Sequence, residues 1–345
     1  MIRRVPPALA PTSLALAIGT IGAALATAIQ LPAAPLIGSC LVVSAAAAAG
    51  LRVALPTRLR DVAFVIIGIS LGAGVEAEAL SRAPEWLLSL SMLAASLLAT
   101  LAVGAWLLRR TFGLDADTAL LATSPGTMSY AVAVALDGRG DAGVVITLQL
   151  IRLLLMVTAV PIVVGALGLA ADARPAPQAM HLAPLALLLM LGYGLGTIGG
   201  RLGLPAAALL AGMVLTTAAH LKGAAEGAAP GWLLYIGLIV TGTAIGTRIS
   251  GIARGRIAAL IRAGLASVLA TALLSFLFAV VTARLTDLPL GQVWIAFAPG
   301  GVEAMAAIGL ALGYDPAFVA LHHFARIVLL LAIIPVILRL LPKRA

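Results

Sequence analysis

The chain has 345 residues, of which 62% are hydrophobic and 10% charged, with a mean hydropathy of +1.14. Soluble domains carry about 25% charged residues, so a water-soluble fold, a secreted disulfide scaffold and a disordered chain are excluded. The net charge of +9 comes as small basic groups between apolar runs, as in the cytoplasmic loops of membrane proteins, and with 7 Phe, 4 Tyr and 4 Trp there is no stacking platform for nucleic acid.

A membrane-spanning helix needs roughly 20 apolar residues. About twelve segments qualify: 9–29, 33–51, 61–78, 84–108, 116–136, 143–168, 182–201, 204–221, 232–249, 257–285, 290–312 and 317–341. The connections are short and leave no room for a soluble domain. The first segment follows Met1-Ile2-Arg3-Arg4, and its apolar stretch from Pro7 to Ile29 exceeds the roughly 7–15 residues of a signal-peptide core, so an uncleaved helix is expected. Glycine pairs at four-residue spacing, Gly68/Gly72 and Gly242/Gly246, with Gly192, Gly196 and Gly200, predict close helix packing. Gly194-Leu195-Gly196-Thr197-Ile198-Gly199 fits a dinucleotide-binding pattern, but no strand precedes it, so packing is the better reading.

The sequence repeats itself at an offset of 174. Ser124-Pro125-Gly126 falls on Ala298-Pro299-Gly300, Asp141 on Asp315, Arg152 on Arg326, Pro161 on Pro335, and Gly68/Gly72 on Gly242/Gly246. Two membrane repeats follow, 9–168 and 182–342.

Proline and glycine break the segments holding Pro125-Gly126 and Pro299-Gly300 in the middle. If each is a re-entrant hairpin, each half crosses five times and the second is inverted; if each spans, the halves are parallel. With Arg152 and Arg326 set aside and the N-terminus inside, the re-entrant arrangement leaves 4 of the other 20 basic residues outside, and the all-spanning one leaves 7. The expected fold is an all-α polytopic membrane protein of two inverted repeats, with about ten full spans and two broken helices; twelve spans with parallel repeats is the alternative. Both termini are then cytoplasmic.

Charges within spans are costly and mark function. Arg152 and Arg326 are candidates for binding an anion through a bidentate guanidinium, or for capping carbonyls of the broken helices. Gln149 and His323 precede them by three residues, on the same helical face. Glu303 is the acid of the second broken segment, able to carry a proton or to pair with an arginine, and Ser129 is its counterpart. With Pro125, Gly126, Pro299 and Gly300 they form the candidate substrate and ion site. Asp141 and Asp315 read as helix N-caps. The adjacent His322 and His323 point to different faces, His181 and His220 lie in loops, and the one cysteine is Cys40, so no metal cluster and no cofactor is expected.

The stretches SPGTMSYAVAVALDGRGDAGVVITLQLIRLLLMVTAVPIV and APGGVEAMAAIGLALGYDPAFVALHHFARIVLLLAIIPVI resemble the AbrB-type bacterial inner-membrane family, from about residue 14 to 342. That family has a duplicated membrane domain and is catalogued under ammonia monooxygenase and under membrane regulation; it is not the small soluble AbrB DNA-binding domain. Thr127 departs from the double glycine of the second motif, Gly300-Gly301. The resemblance implies a bacterial inner-membrane location and a link to regulation of gene expression, and supplies no substrate.

The residues favour a secondary transporter or exporter of a small solute, with an anion as candidate cargo, alternating access between the repeats, and H+ or Na+ as candidate coupling ion. The alternative is a membrane-embedded regulator acting indirectly on gene expression. An enzyme is not expected, because monooxygenase chemistry needs a metal-ligand cluster. The lipid bilayer and a small solute are the expected partners, nucleic acid is not, and a homo-oligomer is a candidate assembly.

Overall fold

A computed structural model describes residues 9–75, 86–126, 128–171, 178–252 and 254–340, and within these the side chains of Ser129 and Arg254 are not described. Thr127 lies outside the described residues. Among the described residues the chain is helical, with one isolated bridge, Ala179 to Ala228, in place of any strand.

The helices are α1 (Leu9–Ala28), α2 (Ala34–Ala48), α3 (Thr57–Ala73), α4 (Leu87–Phe112), α5 (Ala116–Thr123), α6 (Met128–Leu136) and α7 (Ala142–Ala166) in the first half. The second half has α8 (Leu182–Arg201), α9 (Ala207–Leu221), α10 (Gly231–Thr247), α11 (Arg254–Thr286), α12 (Leu290–Phe297), α13 (Val302–Ala311) and α14 (Pro316–Leu340). The bounds repeat: α1/α8 and α2/α9 begin 173 residues apart, and α3/α10, α5/α12, α6/α13 and α7/α14 begin 174 apart. Ala33 and Ala206, also 173 apart, precede α2 and α9 in the same left-handed conformation, with φ of 50° and 52°. That conformation costs a non-glycine residue about 1 kcal/mol.

The chain forms two compact units, each built from both halves. The first holds α1–α3 and α8–α10, with the end of α7 from Pro161 and the corner Ala306–Ala317. Here glycines bring backbones into contact. A Cβ on Gly68 or Gly72 of α3 would overlap the carbonyl oxygen of Leu209 or Met213 on α9. A Cβ on Gly242 of α10 would overlap that of Leu36 on α2, and one on Gly246 would lie 2.9 Å from that of Cys40. Leu36 and Leu209, like Cys40 and Met213, are 173 apart, so one joint occurs twice with the halves exchanged. Gly192 and Gly196 of α8 are likewise packing residues, against Val65 and Ala208.

The second unit holds α4–α6, α7 up to Val160, α11, α12, the first turn of α13 and α14 from Phe318. Its core joins Leu97, Leu101 and Leu108 of α4 to Leu121 of α5, Ala131 of α6, Leu148 of α7, Ala263 of α11 and Leu330, Ile334 and Leu338 of α14. Phe276 of α11 meets Trp294 of α12 edge to face, with centroids 4.9 Å apart.

The polarity of these helices is reversed relative to a soluble protein. On α11, Leu265, Leu269, Leu273, Leu277, Val281 and Leu285 are exposed, while Ser267, Thr271, Ser275 and Thr282 are buried. An apolar stripe facing outward and hydroxyls facing inward suit a hydrocarbon solvent. Among the described residues, seven helices or helix-led segments are long and apolar enough to cross a membrane: α1, α4, α7, α8, Gly231–Ser250, Gly255–Thr286 and α14. The helices α2 and α9 are apolar but shorter, at 15 residues each. The chain is a multi-pass membrane protein.

Candidate functional site

Both broken segments contribute to the second unit. Asp115 opens α5 as an N-cap, accepting from the Thr118 N–H at 2.9 Å. The helix stops at Thr123 because Pro125 pushes Ser124 into an extended conformation, φ −65° and ψ 117°. Gly126 then turns the chain at φ +86° and α6 begins. The Arg139 guanidinium, just beyond α6, returns to Asp117 at the start of α5, with its Nε donating at 2.8 Å and Nη2 at 3.1 Å. The Asp141 N–H donates to the Thr118 hydroxyl at 2.8 Å. A straight helix over this segment would separate its ends by roughly 30 Å at 1.5 Å per residue. The first broken segment is therefore a hairpin, each arm roughly 12–14 Å long.

A helix that stops leaves its last four carbonyls without partners. Those of α5 are met by side chains of α7. Gln149 donates Nε2–H to the Leu121 carbonyl at 2.7 Å. Arg152 Nη1 donates to Thr123 at 3.1 Å and Ser124 at 3.0 Å, with Ala122 at 3.5 Å. The Ser124 hydroxyl donates to Leu121 at 2.9 Å.

The second break repeats this. Arg326 of α14 donates Nη1–H to the Ala298 carbonyl at 2.6 Å and Nη2–H to the Gly300 carbonyl at 2.5 Å. Ala298 is the counterpart of Ser124 and His323 that of Gln149, but neither ring nitrogen of His323 has a hydrogen-bond partner among the described residues. Arg326 is 1% exposed and Arg152 8%.

The breaks also touch each other's supports. A Cβ on Gly126 would lie 3.3 Å from Arg326 Nη2, and one on Gly301 would lie 3.2 Å from Leu153 Cδ1, beside Arg152. Thus Pro125, Gly126, Pro299, Gly300, Gln149, Arg152, His323 and Arg326 gather in one unit. Glu303 is half-buried in the first turn of α13, where a carboxylate meets the positive helix end, and it pairs with neither arginine. Among the described residues, the ion pairs within 4.0 Å are Arg60–Asp61 and Arg139–Asp117. The two buried guanidiniums therefore face carbonyl dipoles rather than carboxylates, and the Nε of each has no hydrogen-bond partner.

Asp141 caps α7 through the Val144 N–H at 3.0 Å, and Asp315 caps α14 through the Ala317 N–H at 2.8 Å. Among the described residues no three His, Cys, Asp or Glu side chains are placed to hold a metal. An open groove of about 850 Å³ along α4, lined by Trp106, Arg109 and Arg110, contains none of the expected site residues. Sequence reasoning missed the Asp117–Arg139 clasp. Opposite charges at the two ends of a segment broken by proline and glycine were the available signal.

The family described as transition state regulatory protein AbrB matches residues 36–342. The chain belongs to this family. The chain is similar to the uncharacterized protein YhjN of Bacillus subtilis (strain 168), 28% identical over 296 residues, covering 80% of this chain and 77% of the relative. It is also similar to the proposed regulator AbrB of Escherichia coli (strain K12), 26% identical over 328 residues, covering 92% of this chain and 94% of the relative. Neither name is that of an enzyme.

Proposed function

We propose that the protein is a secondary transporter of a small anionic solute in the bacterial inner membrane, working by alternating access between two inverted repeats. One observation carries this reading: equivalent helix breaks of both repeats meet in a single unit, each supported by a buried arginine without a carboxylate partner. Broken helices at the repeat interface are where secondary transporters hold substrate and coupling ion. Burying two cations is unfavourable unless dipoles or an anion compensate them, so an anion entering the breaks gains from the excess positive charge. Arg152, Arg326, Gln149 and His323 shape the ends of α5 and α12, while the starts of α6 and α13, with Ser129 and Glu303, offer N–H groups and a carboxylate. The hairpin closed by Asp117 and Arg139 supports five crossings in the first half and hence an inverted second half with both termini cytoplasmic.

The name of the Escherichia coli relative favours one second reading, a regulator. With no soluble domain among the described residues, that influence would act through the solute moved.

Two measurements test the proposal. In a Cys40→Ser background, single cysteines at Thr57, Lys222 and Gly255 are treated on intact cells with an impermeant thiol reagent; only position 222 labels if the repeats are inverted, and labelling of 255 alone shows them parallel. Purified protein in liposomes is then exposed to an isotope-labelled extract of small bacterial metabolites, and retained solutes are read by mass spectrometry. Retention of an anion above that of protein-free vesicles supports transport. Retention of none, with the topology correct, sinks the transporter and, with it, a regulatory influence exerted through the solute moved.

A further inference from the structure

His322 lies on α14 one turn before Arg326, in the second half only; Leu148 takes its place in the first. Its ring is fully buried, and both nitrogens are engaged. Nδ1 lies 2.8 Å from the Phe318 carbonyl oxygen, and Nε2 lies 2.8 Å from the Ser89 hydroxyl oxygen on α4. Ser89 in turn lies 2.9 Å from the Trp86 carbonyl oxygen.

Counting protons decides what this arrangement is built for. A carbonyl oxygen only accepts, so Nδ1 carries a hydrogen. The neutral ring then has a bare Nε2, and the single Ser89 proton must choose between Nε2 and the Trp86 carbonyl. Whichever it chooses, one of the three contacts lacks a hydrogen. When the ring is protonated, Nε2–H donates to Ser89, Ser89 O–H donates to Trp86, and Nδ1–H donates to Phe318. All three contacts are then hydrogen bonds, and the ones from the ring are charge-assisted.

Aromatic faces add to this. The Phe318 ring lies 3.9 Å from the His322 ring, centroid to centroid, and Phe297 stacks at 6.2 Å with 27° between planes. Trp86 buttresses Phe318 edge to face at 5.5 Å. A cation gains from aromatic faces, more so where water is excluded. The charged and titratable neighbours on α14 are His323 and Arg326; α4 has no ionisable side chain from Leu87 to Leu108, and α12 has none. Burial away from water opposes a charge on the ring most, and Arg326 adds to that; the hydrogen bonds and aromatic faces act against both.

We infer that His322 and Ser89 form a proton-binding site, and, resting on the transporter reading, that H+ is the coupled ion. On binding, the proton takes the Nε2 lone pair, the Ser89 hydroxyl swings from Nε2 to the Trp86 carbonyl, and release reverses both changes. The consequence reaches the second break directly, because Phe297 is the last residue of α12 before Ala298 and Arg326 lies one turn further along the same helix as His322.

Nitrogen NMR of histidine-labelled protein in liposomes tests the site without any solute. A triple variant, His181→Gln, His220→Gln and His323→Gln, leaves His322 as the remaining signal, and His322→Gln in the native chain checks the assignment. The expected result is an Nδ1–H neutral ring at high pH converting to imidazolium between about pH 9 and pH 4. In Ser89→Ala the proton affinity should fall roughly tenfold; a residue that merely packs would lower thermal stability and leave the midpoint alone. A neutral ring throughout, an Nε2–H tautomer, or a midpoint unmoved in Ser89→Ala overturns the site. A silent His322 in vesicles that still retain a solute removes the proton site and spares the transporter. A titrating His322 in vesicles that retain none removes the coupling.

Discussion

The two helix breaks, matched in the sequence at an offset of 174 residues, are capped by different means. At the first, the work is shared: Gln149, Arg152 and the Ser124 hydroxyl all donate to the carbonyls ending α5. At the second, Arg326 alone supplies two short bonds, to Ala298 and Gly300, and is buried almost completely. A helix end inside a membrane has no water to satisfy it, so a donor must be present, but its identity can drift. The second break has traded redundancy for His322, His323 and Glu303, the groups able to carry charge. Under the proposed function, the first break is a frame and the second carries the ionisable groups.

Arg326→Gln should therefore have the largest effect. Glutamine cannot span both carbonyls, and two charge-assisted bonds are lost at a buried site, a cost of about 2–4 kcal/mol. Thermal unfolding of the purified protein measures it, and vesicle retention of solute should fall with it. Arg152→Gln should cost less, about 1–2 kcal/mol, because Gln149 and Ser124 keep part of the cap. If Arg152→Gln proves the more damaging of the two, the asymmetry between the breaks is wrong.

Much of this was legible without coordinates. An arginine within an apolar run is conspicuous, and its twin at a fixed offset located both breaks and the residues that gather beside them. The direction each guanidinium faces was not legible. It depends on where α5 and α12 end relative to a residue 28 positions further on, so capping and anion binding read alike in the sequence. Ser89 and His322 are 233 positions apart, and no local periodicity joins them. The grouping of elements into units was equally hidden: the glycine pairs announced close packing, but not that α3 packs on α9 and α10 on α2, each across the halves.

Glycine at the turns gives the next test. Gly126 has φ +86° and faces Arg326 Nη2, so Gly126→Ala meets both backbone strain and a crowded guanidinium, costing about 1–2 kcal/mol. At the equivalent Gly300, φ is not positive, but an added methyl overlaps the buried Met305 side chain from Cγ to Cε, so Gly300→Ala should cost more, about 2–3 kcal/mol, through overpacking rather than strain. Equal losses in the two variants would mean that the turns, unlike the caps, have not diverged.

The exits from the breaks differ too. After the second, Tyr314 donates its hydroxyl to the Leu169 carbonyl, and burial pushes the phenol up to about 12. An ordinary tyrosine titrates near 10, so this tie is complete below about pH 10 and lost as pH rises towards 12. Tyr314→Phe should cost about 1 kcal/mol at neutral pH and remove that part of the alkaline loss of stability. Unfolding midpoints of both proteins across the alkaline range would show it, and parallel curves would exclude it.

After the first break the tie is ionic: Arg139 clasps Asp117 and holds the hairpin ends together. The side chains of Arg139 and Asp117 keep 23% and 12% of their surface exposed, so water still screens the pair. Asp117→Asn should be the mildest of these changes, about 0.5–1 kcal/mol. Its signature is salt. At about 1 M ionic strength the Debye length is about 3 Å, shorter than most charge separations at a surface, and the difference between native and Asp117→Asn should vanish there. Arg139→Gln should give the same small loss, and the double variant no more than either alone. A loss that persists in salt would mean that Asp117 holds the hairpin through its backbone position in the first turn of α5. The two exits would then be alike in depending on uncharged hydrogen bonds, and only the caps would distinguish the halves.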